Sequence, residues 1–319
     1  MHVTVKTPSR LHLGMIDLNG ELGRIYGSIG VALNNPPIFI EARTSDKLEI
    51  KGEDAERVEN LVKKFSQIYN VDTNVEINVK EIIPEHVGLG SGTQLSLAIA
   101  SCLSHLNKLN IGVRDLARAM NRGIMSGIGI ETFRKGGFIV DSGRRVNGDK
   151  DIPFIIYRHK FPEDWTFILA VPSVRRGFSG KEEEMAFEKI IPSSPRTAGE
   201  ICRLLQMKML PSLIEKDIET FGQALMDVDR KVGLYFKEVQ KGIYKETITQ
   251  ELIECMLNSG SYGAGQSSWG PAVYGIIDDN NAKKLESAVD EFFKGNEING
   301  TIIRTHADNH GAEISVMEP

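Results

Sequence analysis

Cysteine is scarce in this chain. Cys102, Cys202 and Cys255 stand far apart in a sequence of 319 residues. Three cysteines cannot all pair, and no C-x-x-C is present, so neither a disulfide framework nor a zinc site is implied. Each reads as a small buried side chain. No apolar run approaches the roughly 18 residues of a membrane span. The N-terminus, Met1-His2-Val3-Thr4-Val5-Lys6, alternates like a first strand and shows no signal-peptide core. A cytoplasmic location with no membrane partner is expected. Positive charge is not in surplus: 38 Lys and Arg against 43 Asp and Glu give a formal net charge of −5. That balance argues against nucleic acid as a partner. Tandem repeats and low-complexity segments are also lacking.

What remains is ordinary for a globular enzyme: 41% hydrophobic and 25% charged residues. The length suits about two domains of roughly 150 residues each. Strands and helices mix up to about Pro153, a helical stretch follows from Arg196 to Leu257, and a strand–helix–strand unit closes the chain. This order predicts an α+β protein of two lobes, with residues 1–150 as one domain and 151–319 as the other.

The most informative stretch is Pro84-Glu85-His86-Val87-Gly88-Leu89-Gly90-Ser91-Gly92-Thr93-Gln94. An alternating run, Val75 to Ile82, precedes it and reads as a strand with one apolar face. After it Leu95, Ala98, Ile99, Cys102, Leu103 and Leu106 recur at helical spacing. A glycine-rich turn therefore leads from a strand into a helix N-terminus. Backbone N–H groups there lack intrahelical partners, and the helix dipole favours an anion. Glycines let those groups approach a phosphate closely. The plain alternative is a turn capped by Ser91 or Thr93. No Lys-Ser or Lys-Thr follows the last glycine, so this is not a P-loop. The strict alternation of Gly88, Gly90 and Gly92 is not the dinucleotide fingerprint either.

Nearer the start, Ser9-Arg10-Leu11-His12-Leu13 alternates, with Arg10 and His12 on one face. Asn19-Gly20 is a strong turn signal. It separates Asp17 from Arg24, so a hairpin can bring the two to one site. Asp17 reads equally as a general base, a magnesium ligand or a turn cap. Arg24 offers a planar fork to a carboxylate or phosphate. A lone histidine such as His12 is more often a structural hydrogen-bonder than a catalyst. Arg175, Arg176 and Ser179 read first as a solvated basic loop. His306, Asp308 and His310 have a spacing that can hold a metal, although a turn accounts for them as well. Asp278 and Asp279 read as the cap of the helix that follows.

Three blocks stand in order: Pro8-Ser9-Arg10, then Pro84-x-x-x-Gly88-Leu89-Gly90-Ser91-Gly92, then Gly263-Ala264-Gly265. In this the chain resembles the GHMP kinase superfamily over nearly its whole length. The resemblance implies a GHMP-kinase-like fold with a ribosomal-protein-S5-like N-terminal lobe and a ferredoxin-like C-terminal lobe. Ser9 to Gly20, Gly23-Arg24 and Gly88 to Gln94 look closer still to one branch, the β-ribofuranosylaminobenzene 5′-phosphate synthases. That branch implies condensation of phosphoribosyl pyrophosphate (PRPP) with 4-aminobenzoate or 4-hydroxybenzoate, early in archaeal methanopterin biosynthesis. Carbon dioxide and pyrophosphate leave and a C-glycoside forms. The branch also implies Mg²⁺, no organic cofactor, and a homodimer.

On that resemblance Asp17, Arg24, Arg10 and His12 become catalytic candidates. Gly88, Leu89, Gly90, Ser91, Gly92, Thr93 and Gln94 become the pyrophosphate cradle, with Arg175, Arg176 and Ser179 on the 5′-phosphate. Departures from the kinase pattern point the same way. Thr93-Gln94 stand where an alanine and a serine are usual, and Gly129 stands where many kinases of this superfamily carry an aspartate. An ATP-dependent small-molecule kinase is the alternative reading.

Overall fold

The Asn19-Gly20 turn joins two long antiparallel strands, β1 (His2–Asp17) and β2 (Arg24–Thr44), and the first sheet grows from that hairpin. The computed structural model describes residues 1–148, 151–174, 185, 194–244 and 246–318. Alternation builds β1: Val3, Val5, Leu11 and Leu13 face the core. The sequence pattern breaks β2 at Asn34-Asn35-Pro36-Pro37, yet the structure runs it as one strand. Pairing steps from Thr7–Ile38 to Ser9–Leu33, so residues 34–37 bulge out of the ladder. Two prolines cannot donate to that ladder, and a bulge is where a strand tolerates them.

Next come β3 (Glu49–Gly52), helix α1 (Ala55–Tyr69), β4 (Val75–Glu81), helices α2 (Ser91–Leu106), α3 (Val113–Ala119) and α4 (Ile128–Lys135), then β5 (Phe138–Asp141), β6 (Arg144–Arg145) and β7 (Ile155–His159). The sheet order is β12-β1-β2-β4-β3, where β12 is the last strand (Glu313–Met317); β5 and β6 also pair with β2, and β7 with β5. Residues on both sides of position 150 thus build this sheet. Helix α1 buries Val58, Leu61, Val62 and Phe65. Those positions share one face at helical spacing.

The second sheet holds β8 (Trp165–Pro172), β9 (Gly263–Gln266), β10 (Val273–Asp278) and β11 (Gly300–His306), all antiparallel, in the order β11-β8-β10-β9. Helices between 195 and 258 connect β8 to β9, and Ala282–Gly295 connects β10 to β11. This is the strand order of the expected ferredoxin-like lobe. The Gly/Ser stretch that reads as a loop from 259 onward contributes β9 instead. Glycine permits it: a Cβ on Gly263 would lie 2.4 Å from the carbonyl oxygen of Gly222, in the helix Ile218–Tyr235 packed above. No helix among the described residues is long and apolar enough to cross a membrane.

Candidate functional site

After β4 the chain turns through the glycine stretch into α2. Gly88 (φ 90°) and Gly90 (φ 82°) both occupy the left-handed region. Each is also required by a neighbour. A Cβ on Gly88 would sit 2.2 Å from the carbonyl oxygen of Ser267, and one on Gly90 would sit 3.0 Å from Cγ of Arg10. The amides of Thr93 and Gln94 turn back to the carbonyl of Gly90, each at 3.2 Å. Those of Ser91 and Gly92 have no acceptor among the described residues. The two orphan donors and the dipole of α2 make this mouth receptive to an anion.

Cations surround it. Arg10 donates to the carbonyl of Gly88. Arg122 lies beneath the first turn of α2, its Nε donating to Oγ of Ser96 at 2.9 Å, and that hydroxyl donates to the carbonyl of Gly92 at 2.7 Å. Burial, then repulsion from Arg57, holds the Arg122 guanidinium below its usual pKa. Arg57 pairs with Asp54 at 3.0 Å and Glu85 at 3.1 Å. Sequence reasoning missed Arg57 and Arg122. They belong to no motif, and only the packing of α1 and the segment after α3 against α2 brings them here.

Three distant segments are sewn together at the loop. Ser267 Oγ donates to the carbonyl of Gly88 at 2.7 Å and accepts from the backbone amide of His12 at 3.0 Å. The amide of Ser268 donates to the carbonyl of His12, that of Arg10 to Leu89 and that of Ala272 to Val87, each at 3.1 Å. The three blocks seen in the sequence are therefore one structural unit.

Beside the unit lies a pocket walled by His12 and Gly14 of β1, Asp229, Val232 and Phe236 from the helical layer, Tyr244, and Gln266 and Trp269 from the third block. Phe236 and Trp269 meet edge to face, with ring centroids 4.5 Å apart. Burial, and then the charge of Arg10, pushes the His12 imidazole down to about 3, so it is neutral at physiological pH. Burial raises the Asp229 carboxyl to about 6 against the pull of its donors. Those donors are the Tyr244 hydroxyl at 2.6 Å and the Gln266 amide at 3.1 Å. The pocket thus offers apolar ring faces with a few fixed polar groups, the usual composition of a small-molecule site.

The other candidates divide. Asp17 caps its own turn, accepting from the amides of Asn19 at 2.6 Å and Gly20 at 3.2 Å. Arg24 reaches across to the β5–β6 turn: Nε donates to the carbonyl of Ser142 at 2.8 Å, and Nη2 to Oγ of Ser142 at 2.9 Å and the carbonyl of Gly143 at 2.8 Å. No ion pair joins Asp17 to Arg24 among the described residues. Gln94 is fully buried, its amide N–H donating to the carbonyl of Gly129 at 2.7 Å and its oxygen accepting from Thr7. It clips α2 to α4 and β1. The Leu89 side chain is in the core. Thr93 faces Gly129, where a Cβ would lie 3.1 Å from the Thr93 methyl. Arg175, Arg176 and Ser179 lie outside the described residues.

Asp308 caps the amides of His310 at 2.9 Å and Gly311 at 2.7 Å, and His306 pairs with Asp279 at 3.1 Å, so this segment is a turn. No three His, Cys, Asp or Glu side chains among the described residues come together as metal ligands would.

The chain matches the GHMP kinases N terminal domain over residues 56–130 and the GHMP kinases C terminal domain over residues 209–295. The galactokinase of Lactococcus lactis, solved in complex with galactose, has the same fold at 14% identity: the TM-score is 0.71, covering 98% of this chain and 95% of that one. The architecture is thus that of the GHMP kinases. Within that class, a beta-ribofuranosylphenol 5′-phosphate synthase of Archaeoglobus fulgidus is 38% identical over 326 residues, 98% of this chain and 99% of that protein. Another, of Methanothermobacter thermautotrophicus, is 33% identical over 332 residues, 98% of each. The chain belongs to the beta-ribofuranosylphenol 5′-phosphate synthase family.

Proposed function

We propose that this protein condenses PRPP with a para-substituted benzoate, releasing carbon dioxide and pyrophosphate and leaving a β-ribofuranosyl arene 5′-phosphate, an early step of methanopterin biosynthesis. One observation carries the reading: a single serine ties the anion cradle to the aromatic pocket. Ser267 hydrogen-bonds both Gly88 of the cradle and His12 of the pocket. A diphosphate on the Ser91 and Gly92 amides would therefore lie next to a ring held between Trp269 and His12. The relatives' name specifies a phenol, which favours 4-hydroxybenzoate over 4-aminobenzoate.

The chemistry follows from that placement. The ring carbon bearing the carboxylate attacks the anomeric carbon as the bond to pyrophosphate breaks. The leaving diphosphate takes the bonding pair into the field of α2, Arg10 and Arg122. Loss of carbon dioxide then returns a pair to the ring and restores aromaticity. Neutral His12 can donate or accept a hydrogen bond without adding charge. The Nη1 of Arg24 has no partner among the described residues and remains available to a ligand. The described residues hold no cluster of three or more His, Cys, Asp or Glu, so the Mg²⁺ expected with PRPP would be held chiefly through the substrate. The expected homodimer has a suitable surface in β12, an outer strand with Ile314, Val316 and Met317 exposed.

The test is incubation with PRPP, Mg²⁺ and carboxyl-labelled 4-hydroxybenzoate or 4-aminobenzoate. Labelled carbon dioxide released in step with pyrophosphate supports the reading. No release from either acid, with alcohol-dependent ATP hydrolysis instead, would establish the kinase alternative.

A further inference from the structure

Asp229 has no place in the condensation as derived above, yet it is an expensive residue to keep. Only 7% of its surface is exposed, and no cation pairs with it among the described residues. A buried carboxylate without a counter-ion lowers stability unless hydrogen bonds offset its desolvation. Its Oδ2 accepts from the Tyr244 hydroxyl at 2.6 Å, and its Oδ1 from the Gln266 amide at 3.1 Å. Behind it stands Tyr274, fully buried, its hydroxyl without a hydrogen-bond partner among the described residues. A Cβ on Gly265 would lie 2.6 Å from the Tyr274 oxygen and 2.8 Å from Asp229 Oδ1, so both oxygens converge on the same bare Cα. Buried Tyr274, half-buried Tyr244 and one carboxylate thus form a cluster, and Asp229 and Tyr244 open into the pocket beside His12 and Trp269.

We propose that the Tyr244 hydroxyl receives the proton of the aromatic substrate's para-hydroxyl while passing its own proton to Asp229. The inference rests on the reaction proposed above and adds the group that activates the ring. Tyr244 Oη keeps an acceptor lone pair for the substrate while its hydrogen points at Asp229. The para O–H bond breaks, and its proton moves to Tyr244 as the tyrosine proton moves to the carboxylate. The pair left on the para oxygen feeds through the ring to the carbon that attacks the anomeric centre, and pyrophosphate departs with the pair of the broken C–O bond. Loss of carbon dioxide returns a pair through the ring to the para oxygen. That oxygen takes its proton back through Tyr244, and Asp229 is charged again.

The groups facing Asp229 are Tyr244, Tyr274 and His12, with Arg230 acting on Tyr244. None but Arg230 is charged at neutral pH. The carboxyl titrates at about 6, within reach of a general base. Tyr244 touches the substrate in this arrangement, and Asp229 acts through it as a positioning residue.

Two measurements on the full chain test this. In the first, Tyr244→Phe is assayed with 4-hydroxybenzoate and with 3,5-difluoro-4-hydroxybenzoate, whose phenol is already ionised at neutral pH. Turnover should fall about 100-fold on the first acid, the scale of a lost general base, and stay within about threefold of wild type on the second. Asp229→Asn should show the same selectivity and lose the acid limb of the wild-type kcat profile near pH 6. Equal losses on both acids would overturn the proposal. In the second, quenching of Trp269 fluorescence reports binding without turnover, with Trp269→Phe as the blank. Tyr244→Phe should bind 4-hydroxybenzoate about 10-fold more weakly, the cost of an unpaired polar group, and benzoate unchanged. An equal loss for both ligands, or no quenching of the wild type, would overturn the proposal even if the condensation itself is observed.

Discussion

Ser267 and Gly88 lie 179 residues apart in sequence and 2.7 Å apart in space, joined by a hydrogen bond from the serine hydroxyl to the glycine carbonyl. Because the same hydroxyl accepts from the amide of His12, one oxygen fixes the cradle relative to the pocket. The arrangement works only with glycine at 88, since any Cβ there would run into Ser267.

Removing that oxygen should uncouple the two halves of the site. Ser267→Ala is expected to destabilise the protein by about 1–2 kcal/mol, the cost of hydrogen-bonding groups left unpaired. It should also raise the KM for PRPP and lower kcat together, as misplacement of reacting groups does. Urea unfolding and initial-rate kinetics on one preparation measure both. A loss of stability with unchanged kinetics would show that the bridge supports the fold and not the reaction.

Arg24 holds the β5–β6 turn with three hydrogen bonds from its charged fork. Arg24→Ala should therefore cost about 1.5–3 kcal/mol of stability, typical of bonds to a charged group. If its remaining Nη1 also orients substrate, turnover of the folded variant falls about 100-fold. Near-normal turnover in a destabilised Arg24→Ala protein would assign the residue to the hairpin alone.

Acid should weaken the fold through His12. Its imidazole falls from 6.5 to about 3 on burial, so the unfolded chain binds the proton more tightly. Stability from this residue is complete above pH 6.5 and is lost as pH falls toward 3. Asp229 runs the other way: its carboxyl rises from 3.8 to about 6, so its contribution is full below 3.8 and disappears as pH climbs through 6. Melting temperature against pH should lose steepness on the acid side in His12→Asn and gain it in Asp229→Asn. Parallel curves for all three proteins would contradict both shifts.

Much of the site was legible because it is local. Strand, glycine turn and helix announce themselves by period and by residue type, and the turn at Asn19-Gly20 folds the hairpin as its sequence implies. Asp17 reads three ways in the sequence, and its carboxylate now sits on the turn amides. Tertiary residues were not legible. Asp229 and Tyr244 look like any polar positions in a helical stretch, and nothing near Arg57 or Arg122 marks them. Their meaning arises only when helices from both sides of the chain close on β1 and α2. The same cause hid the reach of β2: a pattern interrupted by two prolines looks like two strands until β1 is seen running past both.

The serine bridge that unites cradle and pocket has a further effect during synthesis. Its pieces come from residues 12, 88 and 267, so a nascent chain cannot finish it until the third block has left the ribosome. The glycine turn waits for most of translation without its partner, and contacts of such sequence separation form slowly. Substrate affinity should therefore be among the last properties a newly made molecule acquires, and a chain halted before residue 267 should have none.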